Sequence, residues 1–207
     1  MATGLLNEAS DAQVVLLGED HRSPLPDAIG AAMLRQAAFD CVGLELHQDL
    51  QPAIDAYVAG KAWHRTVWPA VRQVFGTAPL ALGQDQQVVR TARRQGVQLV
   101  AVDRFPRDLM REMRHQRRTG EPVDAVLRRR MVDDRDVEMA SELVGLLADG
   151  RCERVLFSVG WNHLPGLTEQ LEAAGISVYA TVVDHDDVPP LPDPIVLSWE
   201  DGRIAVE

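Results

Sequence analysis

The sequence predicts an α/β domain: a mainly parallel central sheet flanked by helices on both faces, with a C-terminal β-hairpin. Three observations carry this. Short apolar runs recur at residues 14–17, 41–46, 97–102, 155–159 and 178–183, with the length and β-branched content of strands buried on both faces. Stretches of helical periodicity separate them, and strand–helix alternation implies crossover connections and a parallel sheet. The end of the chain, from Ile195 to Val206, is two short apolar segments around Asp201-Gly202, a hairpin pattern.

In order, Val14-Val15-Leu16-Leu17 is the first strand, broken by Gly18. Pro24 to Phe39 reads as a helix, with prolines in its first turn and Ile29, Met33, Leu34 and Ala37 at helical spacing. Cys41 to Leu46 is the second strand. Residues 51–96 carry helical patterns interrupted near Pro69, Gly76 and Pro79, the last running from Leu80 to Arg94 and stopping at Gly96. Val97 to Val102 is the third strand, ending on Asp103. Two arginine-rich helical stretches follow, split at Gly120 and Pro122. The helical pattern then continues to Leu147, and Asp136, Met139, Ala140, Leu143 and Leu147 share one face. Val155 to Val159 is the fourth strand, Pro165 to Ala174 a helix ended by Gly175, and Val178 to Val183 the fifth strand. The whole chain, 1–207, is expected to form one domain, with a core over 10–184 and a proline-rich loop and hairpin over 185–207.

Bulk properties narrow the function. With 207 residues, 46% apolar and 25% charged, the chain has enough material for one full core and no sign of global disorder. A net charge of −10 argues against nucleic acid as a partner. No apolar stretch reaches membrane-spanning length and the first ten residues lack a signal-peptide pattern, so a cytoplasmic location with no membrane partner is expected. The two cysteines, Cys41 and Cys152, sit inside or beside apolar runs and are expected to be small buried hydrophobes in a reducing compartment rather than a disulfide.

In open parallel sheets, ligands collect beyond the carboxyl ends of the strands. Past the first strand come Gly18, Glu19, Asp20 and His21. The second ends in Glu45, Leu46 and His47, the third in Asp103 and Arg104, and after the fourth come Gly160, Trp161, Asn162 and His163. Glu19, His21, Glu45 and His163 are therefore expected to gather at one sheet edge. Imidazole with carboxylate suits zinc or manganese as a mixed ligand set, with His21, His163, Glu45 and Glu19 as candidate ligands. Without a metal the same groups suit general-base catalysis. The competing reading has Glu19 and His21 capping a helix and His163 satisfying a loop. Glu45, in an apolar run, needs a partner: a metal, a histidine, or an arginine such as Arg135 or Arg104. Asp136, on the core side of its helix, either orients an active-site histidine or pairs with arginine. His47 is a weaker member of the group.

Other features read as structural. The nine arginines from Arg104 to Arg130 are expected to form a solvated, salt-bridged face. Asp184-His185-Asp186-Asp187 precedes a proline-rich loop and reads as a turn. His64 and His115 lie in polar or helical contexts, and Trp63, Trp68 and Phe75 read as core or groove residues.

Several motifs together resemble the Tiki/TraB, ChaN and erythromycin-esterase superfamily. Residues 15–21, Val-Leu-Leu-Gly-Glu-Asp-His, look like its opening strand and Gly-Glu-x-His turn. Gly43-Leu44-Glu45 is similar to its second-strand glutamate, and Phe105-Pro106-Arg107 to a Pro-Arg signature of ChaN-like members. Arg135-Asp136 with Met139-Ala140 resembles its helical Asp-x-x-Met-Ala element, and residues 159–164, Val-Gly-Trp-Asn-His-Leu, its closing motif. The resemblance runs in order from about Val14 to Gly175. It implies an α/β fold with a site formed by Glu19, His21, Glu45, Arg135, Asp136 and His163.

Members of that superfamily include metal-dependent proteases, hydrolases using histidine and glutamate, and a haem-binding lipoprotein. The expected function is hydrolysis of a peptide, ester or lactone bond by water activated at the His/Glu cluster, with a divalent zinc or manganese ion, on a small-molecule or peptide substrate. The alternatives are a haem or small-ligand binding protein, with Tyr57 or His64 reaching the iron in the same cleft, and a non-catalytic regulatory domain.

Overall fold

The computed structural model describes residues 9, 11–19, 25–75, 87–120, 124–182, 197–200 and 203–206. Five strands, β1 (Val14–Glu19), β2 (Cys41–His47), β3 (Gln98–Asp103), β4 (Val155–Gly160) and β5 (Val178–Val182), form one sheet in the order β3-β2-β4-β1-β5, every pairing parallel. Two further strands, β6 (Leu197–Glu200) and β7 (Arg203–Val206), pair antiparallel as the expected hairpin. The fold class read from the sequence is the observed one.

Period-two side-chain alternation divides the core. Val15, Leu17, Val42, Leu44, Leu46, Leu99, Ala101 and Leu156 pack on one face against α1 (Leu25–Gln36), α2 (Gln51–Val58), α3 (Trp63–Phe75) and α4 (Gln87–Gln95). Val14, Leu16, Cys41, Val100, Val102, Val155, Phe157 and Val159 pack on the other, after which come α5 (Arg107–Thr119), α6 (Ala125–Met131), α7 (Asp133–Ala148) and α8 (Leu164–Ala173) in chain order. On that face α7 contributes Met139, Ala140, Leu143 and Leu146, and α8 contributes Leu164, Leu167 and Leu171. Strands sandwiched this way need continuous apolar runs, which is why the sequence shows no alternation there.

Edges and ends are closed by side chains. The Gln51 amide donates to the Leu99 carbonyl at 2.9 Å and accepts from Ala101 N–H at 2.7 Å, satisfying backbone groups of the edge strand β3. Asp27 on α1 accepts from the Gln87 and Val88 N–H groups at 2.7 and 3.0 Å and so holds the start of α4.

Two expectations are corrected. Helix α3 runs through Pro69 instead of breaking near it. Pro69 and Arg65, whose carbonyl loses its intrahelical donor, both lie on the exposed side, where water serves the carbonyl. Cys41 and Cys152 are bonded to each other, their Cα atoms 5.8 Å apart across a sequence separation of 111, rather than free. Cys41 opens β2 and Cys152 precedes its neighbour β4, so the bridge ties two adjacent strands at their amino ends. The interruptions near Gly76 and Pro79, the start of the expected 80–94 helix, and the 184–187 acidic run lie outside the described residues.

Candidate functional site

The carboxyl ends of β2, β3 and β4 meet the first turn of α7, and a charge network fills the junction. The register between β2 and β3 shifts between Leu44 and His47, an irregularity that re-aims side chains at a strand end. Glu45, in step with Cys41, lies on the face packed by α7. Asp103 closes β3 and is fully buried.

Arg135, in the first turn of α7, sits at the centre. Its Nη2 donates to Glu45 Oε1 at 2.5 Å and to Asp103 Oδ2 at 2.5 Å. Nε reaches both Asp103 oxygens at 3.2–3.3 Å. Nη1 donates to the Met131 carbonyl at 3.1 Å and lies 3.2 Å from His163 Nε2. All five guanidinium hydrogens are thereby used, in the fork geometry that makes arginine suited to carboxylates. The Phe105 ring lies against the guanidinium, 5.3 Å from its carbon. Glu45 spends its second oxygen on the Gly160 N–H at 2.8 Å.

His163 closes the network. It ends a single 3-10 turn, Trp161–His163, between β4 and α8 and is 2% exposed. Its Nδ1 is 2.5 Å from Asp136 Oδ1, and its Nε2 is 3.7 Å from Glu45 Oε1. With the Asp136 carboxylate accepting from Nδ1–H, the imidazole is fixed in the tautomer whose Nε2 is an acceptor, the role it has toward Arg135. Gly18 permits this approach: a Cβ there would fall 2.5 Å from Leu164 Cδ1 and 3.3 Å from Trp161 Cα. Gly166 serves in the same way, since a Cβ on it would run into the Asp136 carboxylate.

Burial pushes the Asp103 carboxyl above its ordinary value, with the Arg135 charge pulling the other way. Burial likewise raises Asp136, against its hydrogen bond to His163. For Arg135, burial lowers the guanidinium but the Glu45 and Asp103 carboxylates outweigh it, and the group ends well above its usual value. It is a permanent cation held between anions.

The structure thus brings together Glu45, Arg135, Asp136 and His163, and adds Asp103, which the sequence shows only as a strand-end residue. Glu19 lies elsewhere. It shares a parity with Val15 and Leu17, on the face of α1–α4, and its Oε2 accepts from Ser158 Oγ at 2.6 Å. Glu45 is two strands away on the opposite face, with about 9–10 Å between the strands. His47 accepts from the Asp49 N–H through Nδ1 at 3.1 Å and packs edge-on against Phe105, outside the network. His21 lies outside the described residues.

Among the described residues no group of three or more His, Cys, Asp or Glu side chains is placed to hold a metal ion. At Glu45 and Asp103 the reason is visible: a guanidinium supplies the charge that a divalent ion would. A cavity of about 460 Å³ opens over Arg135, lined by Arg104, Pro106, Arg130, Arg135, Val137 and Glu138 among others. The arginines of this region form exposed ion pairs, Arg130 with Asp108 and Glu112 and Arg129 with Asp134, in keeping with a solvated face.

Tyr57 and His64 do not share this cleft. They line a second cavity of about 440 Å³ with Lys61, Trp63, Trp68 and Arg93. Arg93 is in the last turn of α4, which leads into the amino end of β3, so the cavity lies toward the sheet's amino end. The charge network is at the carboxyl end, and a six-residue strand is about 20 Å long. A haem ligated by Tyr57 or His64 in the cleft of His163 is therefore not what the fold allows. Tyr57 is 1% exposed, with Arg93 4.5 Å over its ring, and offers no open coordination; His64 is exposed at the cavity wall.

The comparisons agree with this architecture. The type III effector HopBA1 shares 14% identity and superposes with a TM-score of 0.51 over 88% of this chain and 81% of its own. A Pasteurella multocida toxin structure, described for a thiol-protease-like catalytic triad in its C-terminal region, shares 14% identity over 89% of this chain and 25% of its own, with a TM-score of 0.55. ChaN of Campylobacter jejuni, solved with cofacial haem, shares 14% identity over 90% of this chain and 87% of its own, with a TM-score of 0.47. At such identities the first two likenesses, with TM-scores above 0.5, concern the fold alone. No curated protein matches the sequence. No helix among the described residues is long and apolar enough to cross a membrane. The model of the ChaN family of haem-binding uptake proteins, in the Tiki superfamily, matches residues 5–166, more than three quarters of the sequence, and the chain belongs to that family.

Proposed function

We propose that the chain is a hydrolase in which His163, oriented by Asp136, activates water beside Arg135 and Glu45. The observation that carries this reading is the 2.5 Å Asp136–His163 contact within a charged junction at the carboxyl edge of a parallel sheet, where such folds place ligands. A buried ion network is a poor way to gain stability compared with apolar packing, which favours a chemical role for one kept there.

The roles follow from the atoms. Asp136 holds the proton on His163 Nδ1, leaving Nε2 to take a proton from water. Arg135 faces the 460 Å³ cavity and supplies fixed positive charge for an oxyanion formed from an ester or peptide carbonyl. In the structure Arg135 Nη1 occupies His163 Nε2, so a productive complex requires the guanidinium to turn toward the substrate. Glu45, held by Gly160 N–H, limits that motion. A zinc or manganese ion at Glu45 would have to displace Arg135, and a site using Glu19 would have to reach round the sheet, so the metal-free form is preferred.

The test is hydrolysis of p-nitrophenyl acetate and a mixed peptide substrate by tag-free protein, with elemental analysis of the same sample. His163→Ala and Asp136→Asn should lower turnover by about 10²–10⁴ while remaining folded. A His163→Ala variant with wild-type turnover, or a folded wild type inert on both substrates, sinks the reading.

A second reading, haem binding, is favoured by the family description. Both nitrogens of His163 are engaged, so the carboxyl-edge network does not fit haem; the other cavity offers exposed His64 beside Lys61 and Arg93, which suit an iron and propionates. Haemin added to purified protein should then show a shifted and sharpened Soret band relative to free haemin. The Cys41–Cys152 bridge counts against the cytoplasmic expectation and for an oxidising compartment.

A further inference from the structure

The amino-end cavity has a chemistry of its own. Its walls are aromatic: Trp63 packs edge-on against Tyr57 with ring centroids 5.2 Å apart, and Trp68, half-buried, completes the surface. Its charged lining is all positive, Lys61 and Arg93, with no carboxylate among the described lining residues. In a chain of net charge −10, whose one lysine is Lys61, that is a local reversal of sign. Neither cation makes an ion pair among the described residues: Arg93 stacks over Tyr57 and donates weakly to the Lys61 carbonyl at 3.5 Å. Arg72, outside the lining, lies 5.5 Å over the ring of Trp68. The indole N–H groups of Trp63 and Trp68 are buried without an acceptor among the described residues, whereas buried indoles normally find one.

We propose that this cavity is a second binding site, separate from the charge network, for a flat aromatic or conjugated carboxylate. The ring system would lie against Trp68 and His64, and its carboxylate would meet Lys61 and Arg93. At 440 Å³ the space is of the size small-molecule sites use. Stacking and cation–π contacts suit a planar π system, and charge-assisted hydrogen bonds suit a carboxylate. The proposal deepens the haem reading by giving such a ligand a place, and it stands whether or not the hydrolytic reading does.

The test uses the full chain and its tryptophan emission. 2-Naphthoate is titrated against wild type, with 2-naphthylmethanol as the neutral analogue, and haemin is titrated separately by absorbance. Naphthoate should quench emission and bind at least tenfold tighter than the alcohol at low salt. Arg93→Gln and Lys61→Gln should each weaken naphthoate about tenfold and leave the alcohol unchanged, and Glu45→Gln should change neither. Failure of naphthoate to bind at millimolar concentration, or equal binding of acid and alcohol, overturns the proposal. Naphthoate that binds wild type and all three variants alike overturns it too, and haemin that binds all of them alike refutes only the placing of haem in this cavity. Naphthoate binding that follows the pattern above, with no haemin bound, upholds the proposal and refutes the haem reading alone.

Discussion

Arg135→Met tests the network most directly. Methionine keeps much of the apolar stem and removes the guanidinium, so the cavity contribution is small. What is lost is the shared partner of two carboxylates in the network: fully buried Asp103 and Glu45, 12% exposed. Removing one member of a buried ion pair costs about 3–5 kcal/mol, because the remaining charge is stranded. The loss depends on pH in a defined direction. Burial already holds the folded Asp103 carboxyl above its ordinary 3.8, with Arg135 the leading opposing influence; without Arg135 it rises further. An acid raised in the folded state contributes stability in full below its unfolded value and loses it as pH climbs through the folded value. The gap between wild type and variant should therefore be largest at pH 8 and narrow toward pH 5. Urea unfolding followed by tryptophan fluorescence and circular dichroism at pH 5, 6.5 and 8 measures it. A companion variant, Glu45→Gln with Asp103→Leu and Arg135→Met, removes all three charges, while the amide oxygen introduced at position 45 still accepts from the Gly160 N–H; it should recover all but about 1–2 kcal/mol. A gap below 1 kcal/mol at pH 8, or one that widens on acidification, refutes the reasoning.

Two further perturbations probe the scaffold. Replacing Cys41 and Cys152 by alanine opens a bridge spanning 111 residues, and loop entropy for a closure of about that length sets a loss of about 3–5 kcal/mol; a urea midpoint unmoved by the double variant or by reductant would show the bridge idle. Gly166→Ala should gain about 1 kcal/mol from helix propensity alone, yet its methyl meets the Asp136 carboxylate, so a net loss of stability is expected together with a shifted His163 ring resonance by NMR. A stabilised variant with an unmoved resonance would mean Asp136 is free to turn aside.

What the residues made legible was what one strand or one helix determines by itself. The five apolar runs give the strands because burial on both faces leaves a continuous local signature, and Glu45 stands out because a carboxylate in such a run needs a partner. Asp136 is marked in the same way by its place on the apolar face of its helix. Strand order is not local, and the rest of the site depends on it. Once the order is β3-β2-β4-β1-β5, Asp103 and Glu45 become neighbours across β2 and β3, Cys41 faces the loop before β4, and Glu19 is carried two strands from Glu45. Side-chain parity then separates them further: Glu45 is in step with Cys41, Glu19 with Leu17. The sequence did offer the signal for Asp103, a carboxylate directly ending an apolar strand, the same argument that marks Glu45. Two carboxylates that end neighbouring apolar strands share one sheet edge, and burying both needs positive charge between them. Of Arg104 and Arg135, only Arg135 sits one residue from Asp136, in the first turn of a helix whose apolar face packs on that side of the sheet. Charge alone suits a divalent ion as well as an arginine at Glu45 and Asp103, and it is the place of Arg135 beside Asp136 that points to the arginine, whereas the separation of Glu19 follows only from the strand order.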